Sequence, residues 1–185
     1  MNKKIIVLLV CTLIISSFVV ADEFEDSLNA ALNAYKNGKN GEALSSLYDA
    51  VMLLHNKKEF KVGKSLLCEA IGGLSLYKAR ENYTFKTTEK VYIYTEVEGY
   101  GIEKKGNTYG FKISMDITLT DEKGKEVFHK RNFSDYNKYF ELPEVPFFMQ
   151  NVLGALGPGK YKLEILIKDN IKKAFETITF DFKIE

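Results

Sequence analysis

The stretch LGPGKYKLEILIKD, from Leu156 to Asp169, decides the fold of this 185-residue chain. A Pro-Gly turn opens it, and from Tyr161 to Ile167 the odd positions are apolar while the even positions are mostly charged. Alternation of period two is typical of a β-strand that buries one face. We therefore expect a central strand here and a fold built of sheets around it.

Tyr161 lies two residues past the turn that Pro158 and Gly159 form. This placement is typical of the tyrosine corner of immunoglobulin-like sandwiches, in which the ring packs at a strand start and the hydroxyl bonds to the backbone upstream. The simpler interpretation is a half-exposed tyrosine after an ordinary turn. On the first interpretation, Pro158, Gly159 and Tyr161 have structural roles.

The composition describes a chain that can bury a core. Hydrophobic residues make up 45% of it, aromatic residues 13% and charged residues 28%, with a formal net charge of +1. An intrinsically disordered chain is excluded by this balance. Because the charges nearly cancel, the protein as a whole has no electrostatic attraction to nucleic acid.

The N-terminus has the layout of a cleaved secretory signal peptide. Lys3 and Lys4 precede an apolar run from Ile5 to Val20, and Val19 and Ala21 place small residues three and one positions before the cleavage point. We expect residues 1–21 to be removed and the mature protein to be exported, periplasmic or extracellular. An uncleaved anchor is the alternative, but a spanning helix needs about 20 apolar residues.

Two cysteines bear on the same question. Cys11 lies in a stretch that superficially resembles a lipoprotein box, although Val10 is large for the residue before a lipidated cysteine. Signal cleavage would leave Cys68 as the remaining thiol, which rules out an intramolecular disulfide. Cys68 lies within an apolar helical pattern, so we expect a half-buried, inert thiol rather than a nucleophile.

Two or three helices are predicted after the signal. Apolar residues spaced by three and four run from Phe24 to Tyr35 and again from Ala43 to Leu54, with a polar, glycine-containing turn at Asn37–Gly41 between them. Such stripes predict an antiparallel helical hairpin. A third helix is expected at Glu59–Ile71, ended by Gly72–Gly73.

The helical segment resembles one tetratricopeptide repeat. The residues that carry the resemblance are Ala34–Gly38, Glu42–Ala43, Leu47 and Ala50–Val51. The match covers about 30 residues, less than the 34-residue period, and His55–Lys58 stand where the repeat usually has a proline. No second copy follows, so the resemblance implies a packing role rather than the binding groove of a repeat array.

The period changes from helical to two after Gly73. Strands are predicted at Glu89–Gly99, Tyr109–Leu119, Val127–Phe133, Phe147–Leu153, the Tyr161 stretch and Thr177–Ile184, with a seventh if Tyr83–Lys86 pairs. Asp135–Pro146 is expected to be a long connection. The fold class is therefore α+β, with a helical segment at 22–73 packed with an antiparallel immunoglobulin-like β-sandwich at 74–185.

The strand segment also resembles exported bacterial proteins of unassigned function. The resemblance extends from Leu76 to Glu185 and is carried by an ordered run that includes Val91–Tyr94, Gly99–Tyr100 and Pro158–Tyr161. It implies no catalytic residue that can be transferred to this chain.

The sequence contains few residues that match the motifs of known metal, cofactor or catalytic sites. His55 and His129 are the two histidines, and neither has metal-ligand spacing to another His, Cys or acid. No phosphate-binding or dinucleotide glycine fingerprint is present, so no cofactor is expected. Glu96 and Glu98 lie two apart on one strand face, which a glycosidase pair would tolerate but which a solvated strand face also explains.

Two classes of function follow. The first is an exported non-enzymatic binding or envelope-assembly module whose partner is an unknown protein or envelope component, with no integral membrane span after signal cleavage. The candidate partner-binding residues are Tyr92, Tyr94, Glu96, Glu98, Tyr136, Tyr139 and Phe140. The alternative is a carboxylate-dependent enzyme such as a glycan hydrolase. The two are discriminated by whether Glu96, Glu98 and Asp116 line a concave pocket.

Overall fold

A computed structural model describes residues 23–143, 146–154 and 156–185. The predicted signal peptide, its cleavage point and Cys11 lie outside the described residues. The chain divides into two compact units, with the boundary between Lys57 and Lys58. Among the described residues, no helix is long and apolar enough to cross a membrane.

The first unit contains two helices, as predicted. Helix α1 covers residues 23–36 and helix α2 covers Asn40–Asn56. Gly38 turns the chain between them with a φ of 70°, and the Lys39 amide donates to the Ala34 carbonyl at 2.9 Å. Three alanines and His55 are buried in the helices. Seven large apolar residues are 41 to 69% exposed: Leu28, Leu32, Tyr35, Leu44, Leu47, Val51 and Leu54.

The second unit is made of strands. Its described strands are β1 (Lys61–Gly73), β2 (Leu76–Ala79), β3 (Thr84–Phe85), β4 (Val91–Glu98), β5 (Glu103–Lys105), β6 (Thr108–Asp121), β7 (Glu126–Phe140), β8 (Phe147–Leu153), β9 (Gly159–Asp169) and β10 (Ala174–Ile184). One sheet has the order β2-β1-β4-β8. The other has the order β3-β10-β9-β6-β5, with β7 also paired to β6.

The Tyr161 stretch forms β9, which lies between β10 and β6 as the predicted central strand. In register, Ile165 is flanked by Ile178 on β10 and Ile117 on β6. Leu163, Ile165 and Ile167 are fully buried. All pairings are antiparallel except that of β3 with β10, which is parallel. The α+β class and the two-sheet sandwich predicted from the sequence are therefore confirmed.

The predicted tyrosine corner is also present. The Tyr161 hydroxyl donates to the Gly157 carbonyl at 2.9 Å, and its ring stacks on Phe182 with centroids 5.6 Å apart. Pro158 is exposed and Gly159 begins β9. The ring is half-buried, so the corner lies at the surface of the sandwich.

The predicted third helix is wrong, because Lys61–Gly73 is strand β1. Its pairing partners are far away in sequence: Leu67 lies opposite Ile93. Register shifts interrupt β1 between Val62 and Ser65 and again after Cys68. Between these shifts, Leu67 and Cys68 point to opposite faces of the strand and are both fully buried, so β1 is covered on both faces there. Bulges of this kind break the period of two and imitate helical spacing. Burial raises the pKa of the Cys68 thiol, which lies in a strand and is more buried than expected.

The predicted long connection at Asp135–Pro146 is wrong as well. Strand β7 continues to Phe140 and pairs with β6 along its whole length, leaving a short link before β8. A register shift near Asn132, whose φ is 48°, separates the predicted strand Val127–Phe133 from the rest of β7, which runs to Phe140. The bulge and the polar residues Ser134 and Asp135 interrupt the alternation of apolar and polar residues, so the sequence pattern does not indicate a strand there.

Candidate functional site

Tyr94 is fully buried on the outer face of the first sheet. Its ring packs between Tyr77 and Phe148, with centroid distances of 4.5 and 5.5 Å. The hydroxyl donates to Glu96 at 2.5 Å and accepts from the Ser75 amide at 2.9 Å. Burial and the bond to Glu96 raise the pKa of Tyr94. Tyr94 therefore holds the β1–β2 hairpin against the sheet and offers no accessible ring to a partner.

The carboxylates singled out from the sequence each have a local partner. Glu96 accepts the bond from Tyr94, Glu98 forms an exposed ion pair with Lys61 at 3.0 Å, and Asp116 is bound by Lys168. None of the three acids lines either of the two main grooves described below. The observation that discriminates the two function classes thus gives no support to a carboxylate pair.

Tyr139 lies on β7 directly opposite Gly110 of β6. A Cβ atom at Gly110 would fall 2.5 Å from the Tyr139 ring, so the ring lies flat over the glycine. The hydroxyl donates to Glu103, which Lys112 also binds at 2.6 Å, and the bond to Glu103 raises the pKa of Tyr139. Tyr139 covers a glycine of the sheet and is committed to this contact.

Two of the predicted site residues, Tyr136 and Phe140, line a cleft where β7 of one sheet meets β8 of the other. The cleft has a volume of about 770 Å³. Its other walls come mostly from β8. The full lining is Leu74, Phe111, Tyr136, Lys138, Phe140, Pro146, Phe147, Phe148, Gln150 and Val152. We call this surface the aromatic cleft.

Phe147 is the centre of the aromatic cleft. Its ring lies 4.4 Å from Phe111, 5.5 Å from Tyr136 and 5.9 Å from Tyr100. Phe140 stacks on Phe111 with centroids 6.0 Å apart. Each of these rings is fixed by another ring, so the cleft walls are positioned before any ligand arrives.

Polar groups lie at two points of the aromatic cleft. The Tyr136 hydroxyl donates to the backbone carbonyl of Gln150 at 3.0 Å, and burial raises the pKa of Tyr136 above its ordinary value. Lys138 is exposed at the rim and is the one charged side chain among the described lining residues. The cleft therefore combines an apolar floor with a cationic edge.

A second groove of about 650 Å³ lies beside the tyrosine corner. Its charged groups include Lys183, which pairs with Glu185 at 2.7 Å, and Asp121, which caps the β6–β7 turn through the amides of Lys123 and Lys125. These contacts are local and structural.

Among the described residues, no group of three His, Cys, Asp or Glu side chains is placed to hold a metal ion. His129 bonds to the Thr118 hydroxyl at 2.9 Å on the surface of β7. His55 is buried near the end of α2.

The residues missed from the sequence were Phe147 and Phe148, which were assigned to a strand without a role. Adjacent aromatic residues on one strand point to opposite faces. Phe147 therefore faces the interior between the sheets and Phe148 the outer face beside Tyr94, and the aromatic cleft extends around the strand edge from one to the other. Two successive aromatic residues in a strand without charges are the available sequence signal.

No family model matches the chain, and no curated protein is similar to it. Both resemblances drawn from the sequence therefore stay predictions. The fold is similar at 9% identity to the CARDB domain of the PF1109 protein from Pyrococcus furiosus, solved in complex with di-metal ions. That match covers 69% of this chain and 88% of that chain, with a TM-score of 0.37.

The chain is also similar, at 11% identity, to the Pseudomonas fluorescens alkylpurine DNA glycosylase AlkC bound to DNA containing an abasic site analog. The match covers 82% of this chain and 39% of that chain, with a TM-score of 0.32. Both scores lie below 0.5, so neither likeness carries an argument about what this protein does.

Proposed function

We propose that the protein is an exported, non-enzymatic binding module that takes an apolar group of its partner into the aromatic cleft. The observation that carries this proposal is the cleft itself, a volume of about 770 Å³ walled mainly by aromatic rings. Export rests on the signal-like sequence of residues 1–21. Mass spectrometry of the exported protein tests this part, and a mature chain that retains Met1 contradicts it.

The physical support is the energy available in such a surface. Aromatic side chains concentrate binding energy at interfaces, because a rigid ring buries a large area at low cost in conformational entropy. Burying apolar surface gains about 25 cal/mol per Å². Half-buried rings such as Phe140 and Phe148 still have apolar surface to bury against a partner.

Affinity capture from the cell envelope tests the proposal. The bait is the mature chain, compared with Phe140→Ala, which opens the cleft wall. Tyr92→Ala is the matched control, because Tyr92 is another half-buried aromatic residue but does not line the cleft. Near-ultraviolet circular dichroism checks that both variants keep their tertiary packing.

We expect Phe140→Ala to lose at least one partner that the wild type and Tyr92→Ala both retain. If Phe140→Ala captures the same partners as the wild type, the cleft is not the binding surface. If Tyr92→Ala alone loses partners, the contact lies on the outer face of the first sheet instead.

A further inference from the structure

The edge of β8 differs from the other uncovered strand edges of the described sandwich. β8 ends the first sheet and pairs with β4 alone. Its sequence FFMQNVL contains no charge, no proline and no glycine, and its register with β4 is unbroken. Exposed backbone donors and acceptors on such an edge are a template for pairing with another chain.

The remaining uncovered edges are short or carry charges. Strands β2, β3 and β5 have four, two and three residues. The longer uncovered stretches carry Lys61 and Lys64 on β1, Glu176 and Asp181 on β10, and Glu126, Lys130, Arg131, Asp135 and Lys138 on β7. Short edges and charged residues are the devices that prevent unwanted strand pairing. β8 lacks these devices.

Alternate backbone N–H and C=O groups of β8 point away from β4, toward the place where an added strand would lie. The Gln150 carbonyl accepts the Tyr136 hydroxyl, which comes from the other sheet, so a strand added here would replace this one bond. A carbonyl paired within the ladder points between two strands, where a tyrosine from the other sheet has no room. Because the N–H and C=O of one strand residue share a direction, the Gln150 amide also points off the free edge, as do those of Phe148 and Val152.

The aromatic cleft runs beside this edge. Phe147, Phe148, Gln150 and Val152 of β8 line it over most of the strand. On the facing side, the alternate β7 residues Tyr136, Lys138 and Phe140 line it, so that side repeats with the period of a β-strand. An extended chain lying along β8 would therefore place every second side chain against β7.

We propose that the ligand is an extended peptide segment that adds to the first sheet as a strand beside β8. Alternate apolar side chains of the peptide enter the aromatic cleft, and an acidic residue pairs with Lys138, the one charged group among the described lining residues. Backbone bonds to the edge give affinity and the cleft gives side-chain selectivity. This inference rests on the proposed function and specifies its partner.

The test uses a displayed library of random octapeptides screened against the mature chain. We expect enriched sequences to alternate apolar and polar residues and to contain Asp or Glu. The best sequence is then synthesised and measured by titration calorimetry. Replacing its key acidic residue by Lys should weaken binding to the wild type about tenfold and restore binding to Lys138→Glu, because the charge pair is reversed.

Backbone methylation separates strand addition from side-chain binding. Two versions of the peptide carry N-methyl groups on alternate amides, one on the odd set and one on the even set. A strand uses one set for pairing with its neighbour, so one version should lose about tenfold or more in affinity and the other should bind nearly as well as the parent. If both versions bind equally, strand addition is wrong.

The other outcomes also decide. If no peptide binds while envelope capture still depends on Phe140, the peptide inference is overturned and the proposed function stands. If capture does not depend on Phe140 either, both fail. Concentration-dependent dimerisation in sedimentation equilibrium that Gln150→Pro abolishes would identify a second copy as the occupant and overturn the peptide partner.

Discussion

The carboxylate of Asp116 on β6 ties the bulge of β7 to β6 and β9 within one sheet. It accepts bonds from Lys168 at 2.7 and 2.8 Å and from the Asn132 amide at 2.8 Å. Burial by itself would raise the pKa of Asp116, but these hydrogen bonds outweigh it and hold the pKa below its ordinary value of 3.8. A lowered folded pKa adds stability that is present above the unfolded pKa and is lost as the pH falls through the folded pKa.

We expect Asp116→Asn to lower the free energy of unfolding by about 1.5–3 kcal/mol at neutral pH, the range for hydrogen bonds to a charged partner. The difference from the wild type should shrink as the pH falls below 3.8. Urea denaturation across this pH range measures both effects. Asp135→Asn, which changes an exposed aspartate on the neighbouring strand β7, is the control. A difference that does not change with pH would show that Asp116 acts through shape rather than charge.

The hydroxyl of Tyr161 was predicted to bond to the backbone upstream, and it does so at Gly157. The exposure of the Tyr161 side chain could not be predicted, because sequence spacing does not report exposure. Since Tyr161 is half-exposed, water can replace the lost donor. We therefore expect Tyr161→Phe to cost about 0.5 kcal/mol, the low end for one hydrogen bond.

Chemical denaturation measures the effect of Tyr161→Phe. Tyr83→Phe is the matched control, because the Tyr83 ring also packs on a β10 phenylalanine, Phe180, at 5.9 Å. A loss larger than about 1.5 kcal/mol at Tyr161 would mean that the corner organises more of the fold than its single bond suggests.

At the scale of elements, the sequence predicts strands that keep one register and fails where the register shifts. The apolar and polar residues of β9 alternate without a register shift, and both the strand and its buried face were predicted from the sequence. β1 and β7 contain bulges, and a bulge moves the apolar residues to the other face. The aromatic cleft was predicted only in part. Tyr136 and Phe140 were predicted as site residues, but their contact with β8 depends on long-range packing that a local sequence pattern does not report.

The pairing of β6 with β7 gives a test at this scale. Gly110→Ala would place a Cβ atom 2.5 Å from the Tyr139 ring and 2.7 Å from the Lys138 carbonyl. Overpacking of this kind costs about 1–3 kcal/mol. We expect Gly110→Ala to lower the denaturation midpoint, whereas Gly73→Ala, where the added atom meets open space, should change it little. Equal effects would show that the ring moves aside easily.

At the scale of the whole molecule, the boundary at Lys57–Lys58 decides which residues should be deleted to test whether the sheets fold without the helices. The sequence predicted a helical segment to residue 73, so a deletion to Ile71 would have removed most of β1. β1 lies inside the first sheet, between β2 and β4, and Leu67 and Cys68 are fully buried. Loss of solubility after such a deletion would report on a missing strand and not on the helices. The informative deletion therefore ends at Lys57.

The two units are expected to unfold as one cooperative system. After the predicted cleavage the helical unit would cover residues 22–57, which is below the size of about 40 residues at which a chain rarely folds alone. It also leaves large apolar residues such as Leu32, Leu47 and Val51 about half exposed, and helices of this kind gain most of their stability from packing an apolar face.

Denaturation of the mature chain tests this expectation through two signals. Far-ultraviolet circular dichroism follows the helices, and near-ultraviolet circular dichroism of the tyrosines follows the sandwich, which contains most of them. We expect coincident midpoints, and we expect a chain that starts at Lys58 to aggregate more readily than the mature protein. Separate midpoints together with a monomeric, well-dispersed remainder would contradict this expectation, because each unit would then be stable without the other.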